Sequence, residues 1–310
     1  MSTFVSIGNS ANDFSRLLNE VKRIAHLLPQ PVIVQHGRTP FSAENIQHFG
    51  FVDAEQFQVF LKECTVFITH GGGGSVFSAI RLGKKAVVVP RRGHLKEVVD
   101  DHQVTFGTEL AKLGQIELVL DTNDLKFAVQ RATNNPSLPD LKAAGSSAKA
   151  VVAVLLKKYI KSQHDHIMLV TPPGGHLLEI FYFKELYKDN PHEFVLHTPI
   201  VEPDEMKGRT SIISFSERDW KFLLNLFEAW KLLRKHKSKV ILTSGGGFSV
   251  AFTIVGLLMG IKTVYIETWA KVDVPTATGR IMYKLTPHFL YQWPQLEKHF
   301  PKATCIGLLI

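Results

Sequence analysis

The chain has 310 residues, with 45% hydrophobic and 21% charged residues, 22 Gly and 15 Pro. That length suits two domains, and the composition excludes disordered, collagen-like and low-complexity classes. The formal charge of +8 is shared by both halves and favours anionic partners without choosing among them. Cys64 and Cys305 are the two cysteines and form no CxxC pair, which argues against a disulfide framework or a cysteine zinc site and fits a reducing compartment.

No basic segment followed by an apolar run opens the sequence, so no signal peptide is expected. Short β-branched runs predict strands at Thr3–Ile7, Val32–Gln35, Val66–Thr69 and Ala86–Pro90. Helical spacing predicts helices at Phe14–Leu28, Asp53–Cys64, Gly74–Leu82, Gln103–Lys112, Asn123–Thr133 and Leu141 to about Ile160. The polar run Lys161–Asp165 marks a boundary, giving domains 1–162 and 163–310. The second half restarts with strands at His166–Thr171, Glu193–Thr198, Thr210–Phe215, Val240–Thr243, Thr263–Glu267 and His288–Gln292, and helices at Leu177–Lys188, Asp219–Lys239 and Val250–Gly260. Gly245–Ile261 is the longest nearly uncharged apolar stretch and reads as a buried helix. Apolar strands without alternation predict α/β folding around parallel sheets covered on both faces.

Three strand-to-helix turns are rich in glycine. The first, Thr69-His70-Gly71-Gly72-Gly73-Gly74-Ser75, offers backbone N–H groups to a diphosphate, or else makes a tight turn that needs positive φ. It matches neither the P-loop nor the dinucleotide fingerprint. The second is Pro172-Pro173-Gly174-Gly175-His176, whose histidine is a candidate general base or a packing residue. The third is Ser244-Gly245-Gly246-Gly247. Arg91 and Arg92, at a strand end, suit phosphate, a carboxylate or water; Asp101, His102 and Gln103 suit sugar hydroxyls or a helix start. A metal site from these histidines and aspartates lacks ligand spacing. Glu267 ends an apolar strand, where a carboxylate needs a partner or a task. In Asp219–Lys239, Trp220, Phe227 and Trp230 with Arg234 and Lys235 form a basic amphipathic segment suited to a bilayer interface or to packing on a sheet.

Together these motifs resemble the GT-B glycosyltransferases of the MurG type. Residues 1 to about 135 resemble the PssE-like donor-binding half through Thr69–Ser75, Arg81-Leu82-Gly83-Lys84, Val88–Arg92 and Asp100–Gln103. Residues 166–310 resemble the PssD-like partner through Gly174-Gly175-His176, Glu179, Ser244–Gly247, Tyr265-Ile266-Glu267, Thr278-Gly279-Arg280 and Gln292-Trp293. The resemblance implies two Rossmann-like domains facing across a cleft, donor domain first, and inverting, metal-independent and cofactor-free transfer from a UDP-sugar to a polyprenyl-diphosphate-linked sugar in polysaccharide biosynthesis. It places the protein in the cytoplasm, peripheral on the cytosolic membrane face, with no nucleic-acid partner.

On that resemblance the donor site comprises Gly8, Asn9, His70, Gly71–Gly74, Ser75, Arg91, Arg92, Asp101, His102 and Gln103. Ser78 stands where the family pattern has a ribose-binding Glu, and Glu97 is the substitute. Gly174, Gly175 and Gly245–Gly247 serve the acceptor, and the base is sought among His176, Glu267 and Glu179. Arg91 and Arg92 suggest a uronic acid as the sugar. A short linker near Ser162 also allows halves of two copies to pair as a homo-oligomer. The alternatives are a UDP-sugar epimerase and a sugar-nucleotide-binding scaffold without catalysis, which Ser78 keeps open.

Overall fold

A computed structural model describes residues 2–139, 142–200, 202–214 and 221–309. Contacts divide the chain into two units, residues 1–140 and 141–309.

The first unit has strands β1 (Thr3–Ser6), β2 (Val32–Gln35), β3 (Gln47–Phe49), β4 (Val66–Thr69), β5 (Ala86–Val88) and β6 (Ile116–Leu118). Their order is β3-β2-β1-β4-β5-β6, all parallel. Helices α1 (Ser15–Ile24), α2 (Ala54–Glu63), α3 (Gly73–Arg81), α4 (His102–Lys112) and α5 (Leu125–Asn134) connect them. Every residue of β1 and β4 is buried, as a sheet covered on both faces requires. Val5, Val34 and Ile68 join Leu17, Val21 and Ala128 in one core cluster, while Phe4 packs against Phe57 and Phe67 with ring centroids 5.4 and 5.5 Å away.

The second unit begins with α6 (Lys142–Tyr159), which the sequence boundary at 162 assigned to the first. Ala148, Val152 and Leu156 of α6 are buried, Lys149 lies over the Tyr182 ring at 4.7 Å, and Tyr159 Oη is hydrogen-bonded to His288 Nε2. Polar composition after Ile160 marks a turn, whereas burial decides which core the helix joins. Strands β7 (Ile167–Val170), β8 (His192–Leu196), β9 (Thr210–Ile212), β10 (Val240–Thr243), β11 (Lys262–Ile266), β12 (His288–Tyr291) and β13 (Thr304–Cys305) form a second parallel sheet. Its order is β13-β12-β11-β10-β7-β8-β9. Its helices are α7 (Gly175–Tyr182), α8 (Lys184–Tyr187), α9 (Lys221–His236), α10 (Gly247–Leu258) and α11 (Ala277–Leu285). Ala229 and Leu233 of α9 share a core cluster with Phe248, Phe252 and Val255 of α10.

In each sheet the chain leaves a central strand in opposite directions, between β1 and β4 in the first and between β7 and β10 in the second. Such switch points open a crevice at the carboxyl ends of the strands, where α/β folds bind ligands. The three glycine turns follow β4, β7 and β10 and so stand at these two places.

One buried arginine holds the first crevice in shape. Arg91 is 1% exposed and donates from Nη1 to the carbonyls of Asn12 (3.0 Å), Asp13 (3.1 Å) and Glu97 (3.3 Å), and from Nη2 to that of Ile7 (3.2 Å). It lies 4.4 Å over the Phe14 ring. Arg16 grips both oxygens of buried Glu97 (2.9 and 3.0 Å), so the loops after β1 and β5 are fastened together. Replacing Arg91 by Ala takes a donor from the carbonyls of Ile7, Asn12, Asp13 and Glu97 and empties the buried space that the guanidinium fills, and urea unfolding is expected to show a loss of about 3–5 kcal/mol. Arg92 donates to the Leu120 carbonyl at an exposed position, and Arg92→Ala is expected to cost less than about 1 kcal/mol.

Candidate active site

At the first switch point none of Gly71, Gly72, Gly73 and Gly74 has positive φ, which removes the tight-turn reading of the glycine run. Gly72 is extended (φ −73°, ψ 123°) and α3 starts at Gly73 without a side-chain cap. The first helical bond runs from Val76 N to the Gly72 carbonyl, so the N–H groups of Gly73, Gly74 and Ser75 precede it and are the donors an anion would meet.

The first two glycines have another reason. A Cβ on Gly72 would lie 2.1 Å from His70 Nε2, and one on Gly71 would lie 2.8 Å from Gln103 Cβ. Gly8, at φ +72°, faces the other side of the same imidazole, its Cβ position 2.5 Å from His70 Cε1. His70 thus fills a slot between the loops after β1 and β4. Burial first, and then the Arg91 guanidinium, push its pKa down to about 4, with the Ser6 carbonyl working against them and His102 adding to the depression. The ring is neutral at physiological pH. Asn9 is exposed beside it.

Several expected donor contacts are committed elsewhere. Arg91 is engaged with four carbonyls and Arg92 with the Leu120 carbonyl, so neither presents the free fork expected for a uronic acid. The sequence motif shows two basic residues on a loop; three of the four carbonyls that claim Arg91 come from the loop after β1, about eighty residues earlier. Glu97 is bound by Arg16 and by the Arg92 N–H (2.9 Å), which removes it as the substitute ribose ligand. Ser78 is buried on the inner side of α3. Gln103 Oε1 accepts from Arg91 N (3.0 Å), Asp101 Oδ1 from Gly93 N (2.7 Å), and His102 Nδ1 contacts Asp100. Asp101 and His102 thereby shape the loop ahead of α4, with the His102 side chain 29% exposed.

At the second switch point the structure brings together His176, Glu179, Ser244, Tyr265, Glu267 and Gln292. Gly174 (φ +84°) and Gly246 (φ +87°) adopt conformations that favour glycine just before α7 and α10, and neither helix has a side-chain cap. Gly175 and Gly247 open those helices. His176, in the first turn of α7, sets Nδ1 2.8 Å from the Ser244 carbonyl. A carbonyl only accepts, so Nδ1 carries the proton and Nε2 is the basic nitrogen of the neutral ring. Gly245 (φ +129°) leaves room beside the imidazole, its Cβ position 3.2 Å from His176 Cε1.

Glu179, one helical turn on, is completely buried. Its Oε1 accepts from Trp269 N (2.8 Å), Thr268 Oγ1 (3.0 Å) and Gln292 Nε2 (3.4 Å). Its Oε2 lies 3.5 Å from His176 Nδ1 and has no hydrogen-bond donor among the described residues, so that contact is an ion pair in waiting. Burial alone would lower the pKa of His176; Glu179, then the Ser244 carbonyl and Glu267, outweigh it and hold the imidazole above its ordinary value. Glu179 is thus shut away from solvent, and its free oxygen faces His176.

Glu267 is equally buried, and its oxygens are used. Oε1 accepts from Thr276 N (2.9 Å), and Oε2 from Tyr265 Oη (2.9 Å) and Thr276 Oγ1 (3.1 Å). Gly279 approaches so closely that a Cβ there would lie 1.9 Å from Oε2. Burial raises the pKa of this carboxyl, and its place is that of a brace for the start of α11 rather than of a second base. Tyr265 and Gln292 were singled out in the sequence only as parts of motifs. As polar residues in or just after otherwise apolar strands they carried the same signal as Glu267.

On α9, Phe227 is 61% and Trp230 41% exposed, with stacked rings 6.0 Å apart and Arg234 over Trp230 at 5.3 Å. Lys235 is also exposed, and Trp220 lies outside the described residues. No helix among the described residues is long and apolar enough to cross a membrane. None of those residues forms a group of three or more His, Cys, Asp or Glu able to hold a metal.

Comparison with known proteins assigns the two halves differently. Residues 206–309 match the family described as oligosaccharide biosynthesis protein Alg14 like. The chain is similar to the UDP-N-acetylglucosamine transferase subunit ALG14 of Homo sapiens, 28% identical over 94 residues, covering 28% of this chain and 44% of that protein. The Yarrowia lipolytica subunit of the same name is 32% identical over 88 residues, 26% of this chain and 41% of that protein. The chain thus spans less than half the length of these curated relatives. Among solved structures, GsuK bound to ADP aligns with 93% of this chain and 65% of its own at 10% identity and a TM-score of 0.31, too loose a likeness to bear on function. Residues 3–157 match the glycosyltransferase family 28 C-terminal domain, a match that runs through α6 and takes in half of the sequence. By that match the chain belongs to the family 28 glycosyltransferases.

Proposed function

We propose that this protein transfers a sugar from a UDP-sugar to a sugar carried on a polyprenyl diphosphate, with inversion and without a metal. The observation that carries this reading is His176, whose Nδ1 proton is fixed by the Ser244 carbonyl and backed by buried Glu179, leaving Nε2 basic at a strand end. In the proposed reaction an acceptor hydroxyl attacks the anomeric carbon of the donor and gives its proton to His176 Nε2. The bond from that carbon to the diphosphate breaks, and UDP leaves with the electron pair. In the first unit, the uncapped N–H groups that open α3 suit a donor diphosphate, since donors fixed in advance stabilise anionic charge most strongly. Glu179 stabilises the imidazolium that forms.

UDP-N-acetylglucosamine is the donor we favour, since the curated relatives are named for it and the arginines that suggested a uronic acid are engaged by carbonyls. The epimerase and scaffold readings are less well supported, because both halves match families of glycosyl transfer or oligosaccharide assembly. We place the lipid-bearing acceptor along α9, where exposed Phe227, Trp230 and Leu223 are flanked by Lys231, Arg234 and Lys235. This puts the working protein on a membrane surface, on the cytosolic face.

Label from UDP-N-acetylglucosamine should enter a glycosyl-diphosphate lipid in detergent, and no transfer from any UDP-sugar would contradict the proposal. His176→Ala is expected to lower kcat by about 10²–10⁴-fold while leaving UDP affinity unchanged. Because the neutral imidazole is the base, kcat/KM should rise with pH through the raised pKa of His176. Glu179→Gln removes what raises that pKa, so in a pH–rate profile the acidic limb should move to lower pH as the maximal rate falls. In vesicle sedimentation, Phe227→Asp should weaken binding to anionic vesicles by about tenfold or more, from the loss of roughly 1.5–3 kcal/mol of apolar burial.

A further inference from the structure

At the opposite, amino-terminal edge of the second sheet lies a cavity of about 560 Å³ that the proposed reaction does not use. Four histidines line it, the exposed His164 and three with more buried rings. His166 precedes β7 and is 8% exposed, His192 opens β8 and is 7% exposed, and His236 ends α9 with its ring centroid 4.7 Å from that of His166. Lys188 and Arg209 stand among the lining residues, with Asp189 as the single carboxylate of that lining.

We propose that this cavity is a binding site for a phosphate-type oxyanion. One buried ring nitrogen there is left without a partner among the described residues. His192 Nδ1 donates to the Asn190 carbonyl (2.8 Å), so Nε2 of the neutral ring accepts from Arg209 Nη1 at a long 3.4 Å, a contact that an anion would replace. His166 Nδ1 is paired with Ser238 Oγ (3.0 Å). His236 Nε2 is buried and meets no hydrogen-bond partner among the described residues. A buried polar nitrogen without a partner is costly, and a bound oxyanion offsets that cost by accepting from it. Arg209 is exposed, and its planar fork suits phosphate. Imidazole and guanidinium nitrogens, with Asp189 as the one carboxylate of the lining and no metal-holding group among the described residues, favour an anion over a metal.

Without ligand the imidazoles are kept from charging. Burial, then the neighbouring His236 and His192, lower the pKa of His166 to about 4; burial also lowers those of His192 and His236. Arg209 adds to the depression at His192, and Lys235 at His236. Glu193 of β8 acts in the other direction on both and is itself held by Ser211 Oγ. Of the other charged groups, Lys188 contacts Glu185, Asp165 accepts from the N–H groups of Lys161 and Ser162, and Asp189 on the lining works against an anion. An anion favours the protonated rings, so its binding must take up protons and strengthen as pH falls.

The site is independent of the proposed transfer reaction, and its test reads the histidines directly. In the full-length protein, NMR of the imidazole resonances is followed while inorganic phosphate is added at about pH 6 and pH 8, with chloride of equal ionic strength as control. His166, His192 and His236 should shift with phosphate, and with sulfate, whose charge is the same at both pH values, the affinity should be about fivefold or more tighter at the lower pH. Arg209→Gln, an exposed change, should weaken that response about fivefold or more without altering UDP affinity, since the guanidinium contributes a charge-assisted hydrogen bond. Phosphate that moves these rings no more than chloride does, or that moves them equally in Arg209→Gln, overturns the proposal. Binding confined to the α3 start would appear at His70 alone and would overturn it as well.

Discussion

The second unit is organised around a carboxylate that has been taken wholly out of water. Glu179 is completely buried on the first helix after the switch-point strand, and an isolated charge there would be prohibitively costly. Three donors satisfy Oε1, and the ion-pair contact of Oε2 is with His176. That need fixes the rest: the loop after β11 curls so that Thr268 and Trp269 N reach the carboxylate, Gln292 joins from the end of β12, and the Ser244 carbonyl sets the histidine tautomer. Helix α7 places His176 in its first turn, where the helix dipole disfavours a cation; Glu179 is the group that reverses this preference.

The two units solve one architectural problem and put histidines to different use. His70 and His176 each follow a central strand at a switch point. His70 is wedged between Gly8 and Gly72 near a buried arginine and stays neutral, whereas His176 faces a carboxylate that raises its pKa above the ordinary value. A neutral ring beside uncapped helix N–H groups suits the binding of an anionic donor without competing for protons. A ring with a raised pKa and a free Nε2 suits proton removal. The chemistry follows from what was buried beside each imidazole and not from the glycine turn they share.

Much of this was legible in the sequence. Val32–Gln35, Val66–Thr69 and Val240–Thr243 are strands with the bounds their β-branched runs predict, and the glycine turns mark both switch points. The strands missed, β3, β6 and β13, are two or three residues long and pair on the outer side of their sheets, where partial exposure erases the apolar run. Arg91 and Glu97 were misjudged for a related reason. Their partners, Ile7, Asn12, Asp13 and Arg16, lie far away in sequence, so a buried brace looks like a charged loop. Around α6 two criteria part: its contacts lie with the second unit, whereas the family 28 match runs on to residue 157, and a polar turn near residue 160 says where the helix stops and not which core it serves.

The most direct test is the protonation of His176 itself. Nitrogen-15 NMR of the labelled imidazole across the pH range should show a neutral ring protonated on Nδ1 and a pKa above that of an ordinary histidine, brought down by Glu179→Gln. A ring protonated on Nε2, or a pKa that Glu179→Gln does not lower, would contradict the account of this site as a base held by a buried carboxylate.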